Sequence, residues 1–274
     1  MINGTFRLAD RSAALKIGLD AYKISDDQDY YLGKAKSLKV VINAYLGLGE
    51  QQKALEAAEK LLELANDEGD DYHSVQALIA KALAYSYLGF FDKALETSKI
   101  AEKLCEKVSD NDEHFSSMGQ IYAGRGEIMN LQYLSPEKTI IYDLKSIAFY
   151  KKIKDQKKRD GWLAIQYSSV GYTYIDLDKH TEALYYNRKA YQLAKAENDS
   201  INQAFGMYGI GNTYLQMNKI DSSVYYYKKA LPIFEKAQDI YRLQYIYDDL
   251  ATIYEKLGDD KLYNYYSKKS KELY

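Results

Sequence analysis

Three histidines, a single cysteine and two close carboxylate pairs are the first places to look for bond-making chemistry in this chain. His73, His114 and His180 stand near predicted helix starts, far apart in sequence. No His-x-x-x-His or carboxylate–His spacing accompanies them, so they are read as surface or capping residues and no metal site is expected. Cys105 has no second cysteine to pair with, which excludes an internal disulfide and a Cys-based zinc site. Its apolar register predicts burial. Gly124-Arg125-Gly126 lacks the other glycines of a phosphate loop and follows no strand, so close helix packing is expected there. Asp70-Asp71 and Asp248-Asp249 fall at helix starts or on solvated faces. Nothing in the sequence places a base beside a nucleophile. The chain reads as a non-enzyme with no cofactor.

Two features remain that could bind rather than react. The run Lys151-Lys152-Ile153-Lys154-Asp155-Gln156-Lys157-Lys158-Arg159 is the sharpest concentration of charge. A nucleic-acid surface would need matching basic faces elsewhere, and the sequence offers none. The run is taken as a solvated helix end whose cations meet the negative dipole terminus. The 30 tyrosines are the other feature. Tyrosine packs its ring between helices with its hydroxyl at the rim, and it also gives a rigid surface for a bound peptide. Both uses stay open, because packing and lining positions differ on one helix.

The elements that must position these side chains are helices. Apolar residues recur at helical spacing almost throughout, with no sustained two-residue alternation. With 47% hydrophobic and 28% charged residues the chain can bury a core. Its two prolines and lack of Gly/Ser-rich linkers argue for closely spaced helices. A formal charge of −2 gives no general attraction to nucleic acid or to an anionic bilayer. No apolar run is long enough to insert in a membrane and no signal peptide is legible, so a cytoplasmic location is expected.

The helices repeat. Leu48-Gly49-Glu50-Gln51-Gln52-Lys53-Ala54-Leu55-Glu56 returns forty residues later as Leu88-Gly89-Phe90-Phe91-Asp92-Lys93-Ala94-Leu95-Glu96. Later, Tyr174, Tyr214 and Tyr254 are forty apart, as are Tyr185, Tyr225 and Tyr265, and Tyr186, Tyr226 and Tyr266. A fixed period of this size marks stacked helical repeats. The pattern gives a lone second helix at 8–25, then helix pairs at 30–66, 70–108, 112–154, 158–197, 200–237 and 239–274. That makes about thirteen helices in one array over 1–274. The third pair is irregular, with a longer turn in which Ser135 is expected to cap and Pro136 to open the next helix. Pro232 is expected to kink its helix. Both ends look uncapped. Either the array continues in a longer parent protein, which is favoured, or the ends pair two chains.

The pattern resembles the tetratricopeptide repeat. That family sets a large residue, an aliphatic, a small residue and a Tyr on the first helix of each pair, and two small residues on the second. Here these are Tyr167, Val170, Gly171, Tyr174, Ala183 and Ala190 in the fourth pair, and Met207, Ile210, Gly211, Tyr214, Ser223 and Ala230 in the fifth. Departures are Lys81 for the aliphatic, Met129 for the Tyr, and Tyr263 for a small residue. A phenol in a site built for a methyl should splay or displace the sixth pair. The resemblance implies an all-α fold: a right-handed α-solenoid of stacked antiparallel helix pairs, a TPR-like superhelix. The forty-residue period is similar to sensor regions of certain bacterial regulators.

In this family the first helices line a concave groove. Carried over pair by pair, the groove positions include Lys39 and Asn43, then Leu83 and Tyr87, then Glu127. They continue with Tyr172 and Asp176, then Phe205, Tyr208 and Asn212, and finally Tyr245 with Asp248. Lys39 and Asn43 match the first Lys and Asn of the family's carboxylate clamp. Ala80, Gln120 and Gly124 occupy its remaining positions, so a clamp is not expected. The resemblance implies a non-enzymatic scaffold binding a protein or peptide in the groove. The other reading is the signal-sensing region of a larger bacterial transcription regulator or sensor kinase.

Overall fold

The computed structural model describes residues 8–132 and 136–273. Among the described residues there are thirteen α-helices and no strand. No helix is long and apolar enough to cross a membrane among the same residues. The chain divides into two compact units, with the boundary between Trp162 and Leu163.

Unit 1 runs α1 (Leu8–Asp27), α2 (Tyr31–Leu48), α3 (Gln51–Asp67), α4 (Asp71–Tyr87), α5 (Phe91–Cys105), α6 (Asn111–Leu131) and α7 (Pro136–Tyr150), and enters α8 (Gln156–Asp176). Successive helices pack on one another from α1 to α7, and α4 also lies against α2 and α6. First helices therefore neighbour first helices. Close approach comes from alanines with no exposed surface, Ala35, Ala54, Ala58, Ala94 and Ala101 among them, packed with Leu61, Ile42 and Val75. The predicted burial of Cys105 is found.

Unit 2 holds the rest of α8, then α9 (His180–Ala196), α10 (Ser200–Gln216), α11 (Ile220–Ala237), α12 (Ile240–Lys256) and α13 (Asp260–Lys271). Its core is more aromatic: Tyr227, Phe234, Ile246 and Leu250 are fully enclosed, with Tyr208, Tyr247 and Tyr254 around them. α11 runs through Pro232 to Ala237. The sixth pair stays packed, against the splay expected from Tyr263. Tyr266 stacks on Tyr254 at 5.7 Å between centroids, and Tyr263 lies half-buried at the cluster's edge, where its phenol has room.

Aspartates cap the first helices other than α2, which starts after Tyr30 with no side-chain cap. Asp70, Asp110, Asp199 and Asp239 precede α4, α6, α10 and α12, and each carboxylate accepts the backbone N–H three residues on, at 2.8–3.0 Å. Asp155 does the same for α8 through Lys158 at 2.7 Å. Each cap satisfies one of the donors a helix leaves open and is worth about 1 kcal/mol. The second helices α3, α5, α9 and α11 have no side-chain cap. α13 differs from them, with Asp259 accepting the Leu262 N–H at 3.0 Å. Ser135, the expected cap of α7, lies outside the described residues.

Most turns use one left-handed residue. Gly49, Gly89, Asp178, Asn218 and Gly258 take that conformation between first and second helix, and Asp29, Gly69, Asn198 and Gln238 between one pair and the next. Two helices stop short of the pattern. α5 ends at Cys105 rather than 108 and α7 at Tyr150 rather than 154. Val108 and Ile153 are instead buried beyond those ends. The Asp112 carboxylate holds the second of these turns, accepting the Lys154 and Asp155 N–H groups at 2.8 Å each.

Candidate functional site

In unit 1 the first-helix face is polar and largely paired within itself. Lys39 on α2 donates to the Tyr72 hydroxyl at 3.2 Å and lies 4.9 Å over the same ring. Burial pushes the Lys39 ammonium below its ordinary range and the Tyr72 phenol up to about 12. Gln76 on α4 donates to Ser117 on α6 at 3.0 Å. Further along α4, the Tyr87 hydroxyl reaches Glu127 at 3.4 Å, and burial with the adjoining carboxylate raises its pKa. The structure thus brings together two residues, forty apart, that the repeat register places on one surface. Asn43 is exposed there, whereas Leu83 is buried in the core. Leu83 lines nothing open.

Unit 2 carries the aromatic face. Tyr172 of α8 lies 5.8 Å from Tyr208 of α10 and donates to the Phe205 carbonyl at 3.4 Å. Phe205 sits edge-on to Phe234 at 5.3 Å. The Arg242 guanidinium at the start of α12 lies over Phe205 at 5.2 Å and over Tyr241 at 5.1 Å, a pair of cation–π contacts. Tyr241 and Tyr245 meet edge to face, their hydroxyls 3.2 Å apart, with 61% and 47% of their surface exposed. Asn212 is half-buried and Asp176 exposed on the same first-helix layer.

Tyr208 is a correction in the same sense as Leu83. It is only 6% exposed and stacks on Tyr227 at 5.8 Å, so its ring is core. Asp248, expected to line the groove, is exposed and accepts the Ser270 hydroxyl at 2.5 Å, across to α13. Its neighbour Asp249, read as solvated, accepts from Tyr227 at 2.6 Å, and burial pushes its carboxyl above the ordinary range.

His73 is also no surface residue. It is buried, and its ring meets the Asp70 cap at 2.7 Å while the Tyr31 hydroxyl reaches the same carboxylate at 2.9 Å. Burial raises the Asp70 carboxyl, but the His73 N–H, the His73 ring and Tyr31 outweigh it and hold the pKa down. This is a capping network. His114 Nδ1 lies 2.9 Å from the Cys105 carbonyl.

Gly124-Arg125-Gly126 divides. A Cβ on Gly126 would meet Asp143 at 2.7 Å, as close packing requires, while one on Gly124 would meet nothing. Buried Arg125 bridges Ser98 and Glu102, both at 2.6 Å. Sequence reasoning gives no role to Arg125, Tyr241 or Arg242. A signal for Arg242 was present: it stands three residues before Tyr245 and therefore shares its face.

The arrangement offers the exposed aromatic edges of Tyr241 and Tyr245, backed by the buried Arg242 guanidinium, with amide and carboxylate groups on the same helical layer. That combination suits an extended peptide backbone with apolar side chains.

Residues 163–236 match the family model described as tetratricopeptide repeat, a segment lying within unit 2. A comparison with curated proteins finds no match. Among solved structures the chain is similar to BtubC (BKLC) from P. vanneervenii, at 16% identity, 81% of this chain and 90% of that one covered, and a TM-score of 0.66. It is similar to the quorum sensor NprR from B. thuringiensis in its apo form, at 15% identity, 96% and 87% covered, TM-score 0.57. The complex of NprR with its cognate peptide NprX gives 14%, 97% and 78%, and 0.60. Aspartyl phosphate phosphatase F from Bacillus subtilis gives 17%, 97% and 74%, and 0.60. Identities this low show the fold: a tetratricopeptide-like solenoid of stacked helix pairs.

Proposed function

With its helix pairs stacked as tetratricopeptide-like repeats, we propose that this protein is a non-enzymatic scaffold that binds a peptide or protein segment on the first-helix layer of unit 2. The observation that carries the reading is the exposed pair Tyr241 and Tyr245, with half-buried Tyr172 on the same layer and the buried Arg242 guanidinium against the Tyr241 ring. NprR, of the same fold, is solved with a cognate peptide, which supports the choice of ligand class. Asn212, Asp176 and Phe205 belong to this site. Lys39, Asn43, Tyr87 and Glu127 form the corresponding layer of unit 1. Leu83 and Tyr208 support the layers from below.

One neighbour is named a phosphatase, so the fold alone does not decide against catalysis. The ring and guanidinium contacts on this layer support the reading of a binding surface. A cytoplasmic setting is part of the proposal. The second reading, a signal-sensing region of a larger regulator, draws on the neighbour named a quorum sensor.

The test is a peptide-library selection on the full chain, followed by affinity measurements on Asn212→Ala with Tyr245→Ser. Tyr245 is exposed and Asn212 half-buried, so helicity should hold. Binding of selected peptides should fall by about tenfold or more, equivalent to at least about 1.4 kcal/mol. Peptides that bind the double variant as well as the parent would place the site elsewhere.

A further inference from the structure

A second surface, on α9, α11 and α13 of unit 2, repeats one motif three times. Tyr185, Tyr225 and Tyr265 expose 52%, 52% and 51% of their surface. Each stands edge-on to the next residue, Tyr186, Tyr226 or Tyr266, at 5.0–5.2 Å. Three and four residues on come two cations: Arg188 and Lys189, Lys228 and Lys229, Lys268 and Lys269. Lys189 and Lys229 lie over the rings of Tyr185 and Tyr225, each at 4.4 Å.

The motifs are joined through the first helices between them. Arg188 donates to the Tyr214 hydroxyl at 2.8 Å, and Tyr214 stacks on Tyr226 at 5.9 Å. Lys228 lies 5.6 Å over Tyr254, which stacks on Tyr266. The result is a continuous strip of rings and cations.

Helix dipoles do not account for it. Arg188, Lys189, Lys228 and Lys229 sit in the middle of their helices, where the terminal field has faded. These four cations contact phenols, and among the described residues none of them is in an ion pair with a carboxylate. The acids on the same helices are used or displaced. Glu182, Asp221 and Asp260 occupy first turns, and Glu235 accepts the Tyr247 hydroxyl at 2.7 Å. Only the third motif is partly neutralised, with Glu272 at 3.7 and 3.9 Å from Lys268 and Lys269.

We propose that this strip docks an acidic peptide segment of a partner protein, carboxylates on the cations and apolar side chains against the exposed tyrosine edges. Charge complementarity selects the acidic ligand. A stacked nucleobase is disfavoured, because in the first two motifs a lysine covers one ring face and the neighbouring tyrosine meets the ring at right angles. A bilayer is disfavoured, because the strip presents tyrosines and no large aliphatic at the exposed rungs.

The probe is a fluorescein-labelled glutamate-rich peptide punctuated by phenylalanine, titrated at about 0.15 M salt. Its lysine counterpart, oligo-dT and phosphatidylserine vesicles are run alongside. The acidic peptide should bind saturably. Arg188→Gln/Lys189→Gln/Lys228→Gln/Lys229→Gln should weaken it about tenfold or more. Tyr185→Ser/Tyr225→Ser/Tyr265→Ser, all at exposed positions, should weaken it at least about threefold and keeps the test open if the first variant folds poorly. Asn212→Ala/Tyr245→Ser should leave it unchanged, which separates this strip from the first-helix layer. No binding, undiminished binding by both strip variants, or tighter binding of oligo-dT, vesicles or the lysine peptide would overturn the proposal.

Discussion

Asn187 and Asp249 show how unit 2 places polar atoms where a hydrophobic residue would be the simpler choice. Asn187 has no exposed surface, and its amide lies between α8 and α10, where a Cβ on Gly171 or on Gly209 would collide with its oxygen. Only glycine leaves room for it there. Asp249 is half-buried against Tyr227, with Asp248 adding like charge, and its carboxyl titrates above the ordinary range chiefly because desolvation disfavours the anion. A raised acid pKa in the folded state means the folded chain holds that proton more tightly. Its contribution to stability is therefore greatest below the unfolded carboxylate pKa and is lost as pH rises through the folded one. Asp249→Asn keeps an acceptor for Tyr227 and removes the titration. The variant should gain stability on the parent as pH is raised from about 4 to about 8, with the two converging at the acid end. Thermal melts across that range measure it, and parallel curves would show that Asp249 does not titrate in this way.

At the scale of helices and turns, most of the chain was legible. Period and apolar spacing place α9 to α11 to within a residue, because the turns inside and before these pairs carry Asp178, Asn198 and Asn218 in the left-handed conformation. The ends of α5 and α7 were not legible, because Val108 and Ile153 continue the helical pattern while serving as plugs beyond the last turn. Side-chain roles were harder to read. A position on the first-helix face cannot say whether its ring is open, as at Tyr245, or enclosed by neighbouring rings, as at Tyr208. Nor does Asp248-Asp249 reveal that one carboxylate turns to Ser270 and the other to Tyr227. Gln238 is the turn that sequence reasoning would not choose: a long side chain at φ 53, closing α11. The Cβ strain of that conformation costs about 1 kcal/mol, and glycine escapes it at some loss through unfolded-state entropy. Gln238→Gly should raise stability by about 0.5 kcal/mol, read from denaturant midpoints. A lower midpoint would mean the glutamine side chain holds the turn.

For the whole molecule, each helix pair in a stack is held by its immediate neighbours, so damage should stay local. Asp199→Ala removes the α10 cap at a cost of about 1 kcal/mol. Hydrogen exchange should quicken in α9, α10 and α11, with α2 to α4 unaltered. Uniform quickening would mean that the two compact units open together. This locality also suits the two proposed binding surfaces, the first-helix layer and the tyrosine–cation strip, since a contact at one need not disturb the other.

The aspartate caps make a ruler along the chain. The interval is forty residues from Asp70 to Asp110 and again from Asp199 to Asp239, but longer from Asp110 to Asp155 and from Asp155 to Asp199. Excising or duplicating the segment from Asp199 to Gln238 is therefore in phase: every side chain downstream keeps its face. A copy of that segment begins with its own cap and ends on its own left-handed turn, so it carries both of its punctuation marks with it. A cut made between Asp110 and Asp199 has no such register. Growth or shortening of this chain by whole modules is thus open in unit 2 and obstructed across the longer intervals.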